Sequence, residues 1–154
     1  MIFDEWPDQV DDVPRVQEML LEFPPIYAEI AAVFRLHEYR DIVFSFGPQL
    51  YNPYGISVQG DIIAHEAVHG ARQGDNPQDT LDWWQRYMKD PAFRLSEEIY
   101  AHRAEYRWLR EHGDRHQRRG AGKRVATKLA SPLYGKLLSV AMARKILEAP
   151  NYHG

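Results

Sequence analysis

The sequence predicts an α+β protein, mostly helical, with a short β-sheet ahead of one helix that carries the pattern His-Glu-x-x-His. Three observations support this. Apolar residues recur at helical spacing through most of the chain, and a β-branched and aromatic run, Ile42-Val43-Phe44-Ser45-Phe46, is bounded by Asp41 and Gly47-Pro48. Just after it, Asp61-Ile62-Ile63-Ala64-His65-Glu66-Ala67-Val68-His69-Gly70 sets its two histidines four apart among apolar neighbours.

Residues 1–13 are acidic and without clear periodicity, which predicts a loosely attached arm on a single domain spanning 1–154. Pro14 suits the first turn of a helix continued by Val16, Met19, Leu20 and Phe23, and Pro24-Pro25 ends it. A second helix then places Ile26, Ile30, Val33, Phe34 and His37 on one face. The run 42–46 reads as a strand, Asn52-Pro53-Tyr54-Gly55 as a turn and Ile56-Ser57-Val58 as a second short strand, whose exposed edge could take an extended peptide. The His-Glu-x-x-His helix closes at Gly74-Asp75-Asn76-Pro77. Pro77 opens a helix whose Leu81, Trp83, Trp84, Tyr87 and Met88 form a heavy apolar face, read as core. After Asp90-Pro91 a long helix runs from about Ala92 or Ser96 to Glu111. The Gly-punctuated basic stretch 113–122 reads as a loop, and 123–130 and 135–149 as helices split by Ser131-Pro132.

With 154 residues, 44% hydrophobic and 27% charged, the chain can bury a real core. No apolar run approaches membrane-spanning length, and no basic-then-apolar leader opens the chain, so the expectation is a cytoplasmic protein without a membrane partner. Cysteine is absent, which excludes disulfides and a thiolate metal site. The net charge of −3 is uneven: acids crowd the first twenty-three residues, and nine Lys and Arg lie between Arg103 and Lys128 against three acids. That stripe is a possible nucleic-acid contact or, more plainly, a solvated helix face and loop.

On a helix, residues four apart lie one above the other, so His65 and His69 can reach one metal ion. Glu66 sits beside them, where it can hold a reactive water as general base without filling a coordination position. This is the arrangement of a zinc-dependent hydrolase of peptide bonds. A catalytic zinc site needs a third protein ligand and one open position. No His follows His69 until His102, and position 75 is Asp75, so the candidates are Glu97 and Glu98 on the later helix, where Ala101 is small enough to let two helices approach. Spacing does not separate the two glutamates. Tyr134 and His102 are candidate donors to a tetrahedral oxyanion, while His37, His112 and His116 read as surface residues.

These residues resemble zincin metallopeptidases of the glutamate-ligand (gluzincin-like) type, and among them the small metallopeptidases encoded by tailed phages and prophages. The likeness rests on residues 65–74, Trp83-Trp84-Gln85-Arg86-Tyr87, residues 90–94, Glu97-Glu98-Ile99-Tyr100-Ala101 and residues 129–135, within roughly positions 40 to 149. In such proteins the later ligand belongs to a Glu-x-x-Ala pattern, which implies Glu98, in register with Ala101, as the zinc ligand. The resemblance also implies a zincin-like fold, Zn²⁺, a peptide or protein substrate and, for a phage protein, the host cytoplasm. The alternative is a nucleic-acid-associated or structural phage protein whose metal site mainly stabilises the fold.

Overall fold

The computed structural model describes residues 16–131 and 137–149. They form seven α-helices, one 3-10 turn and a small mixed sheet, an α+β arrangement dominated by helix. The strands are β1 (Glu18–Leu20), β2 (Phe44–Phe46) and β3 (Gln49–Tyr51). Their order is β1-β3-β2, with β1 parallel and β2 antiparallel to β3. The helices are α1 (Tyr27–Phe34), α2 (Gly60–Arg72), α3 (Pro77–Lys89), α4 (Pro91–His112), α5 (Arg115–Arg118), α6 (Ala121–Leu129) and α7 (Val140–Glu148). Among the described residues no helix is long and apolar enough to cross a membrane.

Two apolar clusters flank the middle of the molecule. In one, Ile30, Phe44, Phe46, Trp83, Trp84 and Tyr87 join α1, β2 and α3. In the other, Ile99, Tyr106 and Leu109 of α4 pack with Val125 and Leu129 of α6 and Ile146 of α7. Between them α2 lies along α4, and two glycines fix how closely it lies. A Cβ on Gly60 would fall 2.1 Å from the Trp108 ring of α4, and one on Gly70 would fall 2.3 Å from the carbonyl oxygen of Gly47 in the β2–β3 turn. The first end of α2 is thus pressed on α4 and the second on the hairpin.

The first helix expected from the sequence is not present. Residues 18–20 form β1, whose backbone pairs with β3, while Glu18 N–H donates to the Pro48 carbonyl and Gln17 Nε2 to the Gly47 carbonyl. Phe23, which precedes Pro24, is also biased toward extended backbone, so a helix could not run comfortably to the Pro-Pro pair. The second expected strand is displaced as well. Among the described residues, 56–58 join no strand, and the Asn52 side chain takes both the N–H and the C=O of Ile56 (3.0 and 2.8 Å). The strand is instead 49–51, joined to β2 by the two-residue turn Gly47-Pro48, with Gly47 at φ 56°.

Further along, α4 starts at Pro91, capped by Asp90, whose side chain accepts from the backbone N–H groups of Ala92 and Phe93. The stretch read as a loop holds the short α5, closed by a reciprocal cap between Asp114 and Gln117. Helix α7 begins only at Val140, capped by Ser139.

Candidate metal centre

Helix α2 presents His65 and His69 to α4 and Glu66 to Ser45 of β2, and α4 presents Glu98, His102 and Glu105 one turn apart. His69 Nε2 lies 3.0 Å from Glu98 Oε1, and His65 Nε2 lies 3.4 Å from Glu98 Oε2. The three donor atoms lie within 4.8 Å of one another, and all three residues are buried. Donors held about 2.0–2.2 Å from one tetrahedral ion are about 3.3–3.6 Å apart, so small adjustments would seat a cation here. A second grouping, His65, His102 and Glu105, shares His65 with the first.

Two properties of the donor set fit a divalent cation. Glu66, Glu98 and Glu105 place three carboxylates around the imidazoles, and Lys128 is the ammonium joined to them. With the imidazoles neutral, the group carries two surplus negative charges. In addition, buried Glu98 Oε2 makes no close hydrogen bond, its nearest donors being the Nε2 atoms of His65 at 3.4 Å and His102 at 3.5 Å, an arrangement that leaves room for a cation to face it. His69 Nδ1 likewise has no hydrogen-bond partner there.

The protonation pattern of the metal-free cluster follows from the same imbalance. Burial opposes a charge on His65, but its hydrogen bonds to Glu105 and Glu98 outweigh that and hold the imidazole well above its ordinary range. Burial would raise Glu98, yet the charges and hydrogen bonds of His69 and His65 carry it well below the usual carboxylate range. Glu105 is also pulled down, against the cost of burial, by its hydrogen bonds to His102 and His65. His102 moves the other way, lowered first by burial and then by the charge on His65. A proton on His65 therefore supplies positive charge where a metal would otherwise sit.

Around these residues lies a layer that fixes their orientation. His65 Nδ1 donates to Glu105 Oε1 (3.0 Å), which turns Nε2 toward Glu98, and His102 Nδ1 makes a similar bond to the same oxygen (3.1 Å). Lys128 Nζ of α6 donates to Glu105 Oε2 at 2.7 Å. Tyr87 Oη of α3 donates to Glu98 Oε1 at 2.7 Å. Hydrogen-bonded carboxylates of this kind set the tautomer and orientation of a metal-binding histidine.

The two glutamates that spacing could not separate have different surroundings. Glu97 faces the other way, accepting from Trp83 Nε1 at 2.6 Å and from Arg72 at 2.8 and 2.9 Å, which occupies both of its oxygens. Glu98 is the glutamate that joins the histidines. His102 is drawn into the Glu98 and Glu105 layer, with Nδ1 on Glu105 Oε1 and Nε2 3.5 Å from Glu98 Oε2. Tyr134 lies outside the described residues. His37, His112 and His116 are exposed.

Glu66 stands apart from the three donors, its Oε1 4.0 Å from His65 Nε2. Ser45 Oγ of β2 lies 2.7 Å from Glu66 Oε2 and 2.8 Å from the Glu66 carbonyl, so the hydroxyl proton has two acceptors within reach. His65, Glu66, His69 and Glu98 all line a cavity of about 170 Å³, whose far wall is apolar and comes from Ile30, Phe34, Leu36, Ile42 and Phe44. Trp83, Trp84 and Tyr87 belong both to the core and to this lining. The outer edge of β2 is closed at Ser45, whose carbonyl accepts from Gln73 Nε2 and Trp84 Nε1. That edge is not open there to an added peptide strand.

Ser45, Tyr87, Glu105 and Lys128 were not assigned to the site by sequence reasoning. Glu105 had a signal, since it lies seven residues after Glu98 on the same helical face. Ser45 had none. No family model, curated protein or solved structure matches the chain.

Proposed function

We propose that the protein is a zinc-dependent metallopeptidase in which His65, His69 and Glu98 hold the ion and Glu66 acts as general base. The observation that carries this reading is the separation of roles among four acidic and imidazole side chains. Three converge on one point from two helices, while Glu66 reaches the same cavity without joining them. The resemblance to gluzincin-like and phage-encoded metallopeptidases belongs to the same proposal, as does a peptide or protein substrate.

When bound, zinc would supply Lewis acidity, lowering the pKa of water and polarising the substrate carbonyl. Glu66 takes the proton from a water that attacks the carbonyl carbon, and then delivers it to the nitrogen as the C–N bond breaks, releasing an acid and an amine. Ser45 Oγ donates to the Glu66 carboxylate while it is charged and can turn to the Glu66 carbonyl once the carboxyl holds the proton. Glu105 keeps His65 in the tautomer that offers Nε2. The apolar wall excludes water from one side of the cavity and suits an apolar side chain of the substrate.

The test is metal analysis of protein purified without chelator, paired with the activity of Glu66→Gln on a mixed proteome read by newly formed N-termini. About one zinc per chain in both proteins, with cleavage by the wild type alone, is the expected result. A protein without divalent metal, or a variant that cleaves as well as the wild type, would refute it.

A further inference from the structure

The basic stripe seen in the sequence is reorganised by the fold. Arg103 is buried and donates to the Ile146 carbonyl at 2.5 Å, so it serves packing, and Lys128 is tied to Glu105. Arg107 and Arg110 stay on α4, Arg110 donating to Tyr106 Oη, and the other five basic residues form a narrower face on α5 and α6. Helix α6 buries Ala121, Gly122, Val125, Ala126 and Leu129 and turns Lys123, Arg124, Thr127 and Lys128 outward. Just before it, Arg115, Arg118 and Arg119 are exposed. Arg124 donates to the carbonyls of Gln117 and Arg119, which joins α5 to the start of α6 as one surface. Among the described residues Arg115, Arg118, Arg119, Lys123 and Arg124 have no carboxylate at ion-pair distance, and the chain holds no acid from 115 to 147.

From this face we infer that α5 and α6 form a docking surface for the phosphate backbone of double-stranded nucleic acid. Charge complementarity identifies the partner class. Arg115, Arg118 and Arg119 offer guanidinium groups, which match phosphate with two parallel hydrogen bonds, while Arg124 spends its terminal nitrogens on the Gln117 and Arg119 carbonyls. The face carries no large apolar side chain to enter a bilayer; the exposed Leu137, Val140 and Met142 lie on α7 and the segment before it. It also carries no Phe, Tyr or Trp on which an unpaired base could stack, so contact runs to the backbone of a duplex and is blind to sequence. Asp114, which caps α5, and exposed Glu111 at the end of α4 are the acids nearest in sequence, and Glu148 of α7 is held by Arg144. The surface excludes His65, Glu66, His69 and Glu98, so its test is independent of hydrolysis.

The test is fluorescence anisotropy of the full chain with a labelled 20-base-pair DNA duplex across a salt series. About four phosphate contacts give a fall in affinity of about 100-fold between 50 and 200 mM salt. Combining Arg118→Gln, Arg119→Gln and Lys123→Gln removes three of them, so binding at 50 mM should drop at least tenfold and the salt response should shrink to a few-fold. A matched pair on α3, Arg86→Gln with Lys89→Gln, should bind as the wild type does. If the triple variant fails to fold, the single reversals Arg118→Glu and Lys123→Glu take its place. The inference is overturned if the duplex does not bind at 50 mM salt, or if the triple and α3 variants bind alike. It is also overturned if phosphatidylglycerol vesicles are bound while the duplex is ignored.

Discussion

At the scale of single residues, four substitutions separate the roles assigned in the cluster. His65→Ala or His69→Ala should lower zinc affinity by at least 100-fold in a chelator competition titration, since two protein donors cannot hold what three held. Glu105→Gln keeps all three donors but disturbs the bond that orients His65, and should cost 10–100-fold in the same titration, as losses of outer-shell partners do. Glu97→Gln should leave zinc affinity near wild type and instead lower stability by about 1–3 kcal/mol, because its partners are Trp83 and Arg72. Proton release tests the electrostatics. His65 is held well above the ordinary histidine range in the metal-free protein, and zinc needs its Nε2 lone pair, so binding near pH 7 must expel a proton. Affinity should therefore fall as pH falls, and calorimetry in buffers of different ionisation enthalpy should read the release. The same sign applies to the metal-free fold. A raised folded-state pKa stabilises fully below the unfolded histidine value of about 6.5 and is lost as pH rises through the folded value, so chelator-treated protein should melt lower in alkaline buffer.

Secondary-structure elements divide into those that sequence disclosed and those that tertiary contacts decided. Helices α2, α3 and α4 were legible, because each has its own signal: the apolar frame of residues 61–70, the Asn76-Pro77 start with its aromatic face, and the Asp90-Pro91 cap. The donors on α2 and the pair Glu97 and Glu98 could be read from spacing, but their facing could not. Glu97 turns toward Trp83 because α3 packs on that side, a fact about three helices at once. Residues 18–20 were misread because Val16, Met19, Leu20 and Phe23 fit a helical period, while the strand they form depends on the free edge of β3, thirty residues away. Ser45 had no local signal, since its role depends on β2 lying against α2. The close fit of α2 is itself testable. Gly60→Ala should destabilise by about 1–3 kcal/mol, measured by thermal unfolding, because the new methyl meets the Trp108 ring and one of the two helices must shift.

For the whole molecule, the site acts as a seam. The cluster containing Trp83 and Phe46 and the cluster containing Leu109 and Ile146 lie on its two sides, and α2 and α4 join them through charged and imidazole side chains as well as apolar ones such as Val68. A metal at that seam would hold both halves, and binding to the folded state alone adds stability by mass action, about 4 kcal/mol at a free concentration a thousandfold above Kd. Chelation should therefore lower the melting temperature of the entire domain, with zinc restoring it, when both are followed by circular dichroism. Crystals grown with zinc, with anomalous diffraction collected at the zinc edge, test the central claim most directly. The account predicts one strong peak about 2.0–2.2 Å from His65 Nε2, His69 Nε2 and a Glu98 oxygen. No peak, or a peak placed instead among His65, His102 and Glu105, would contradict it.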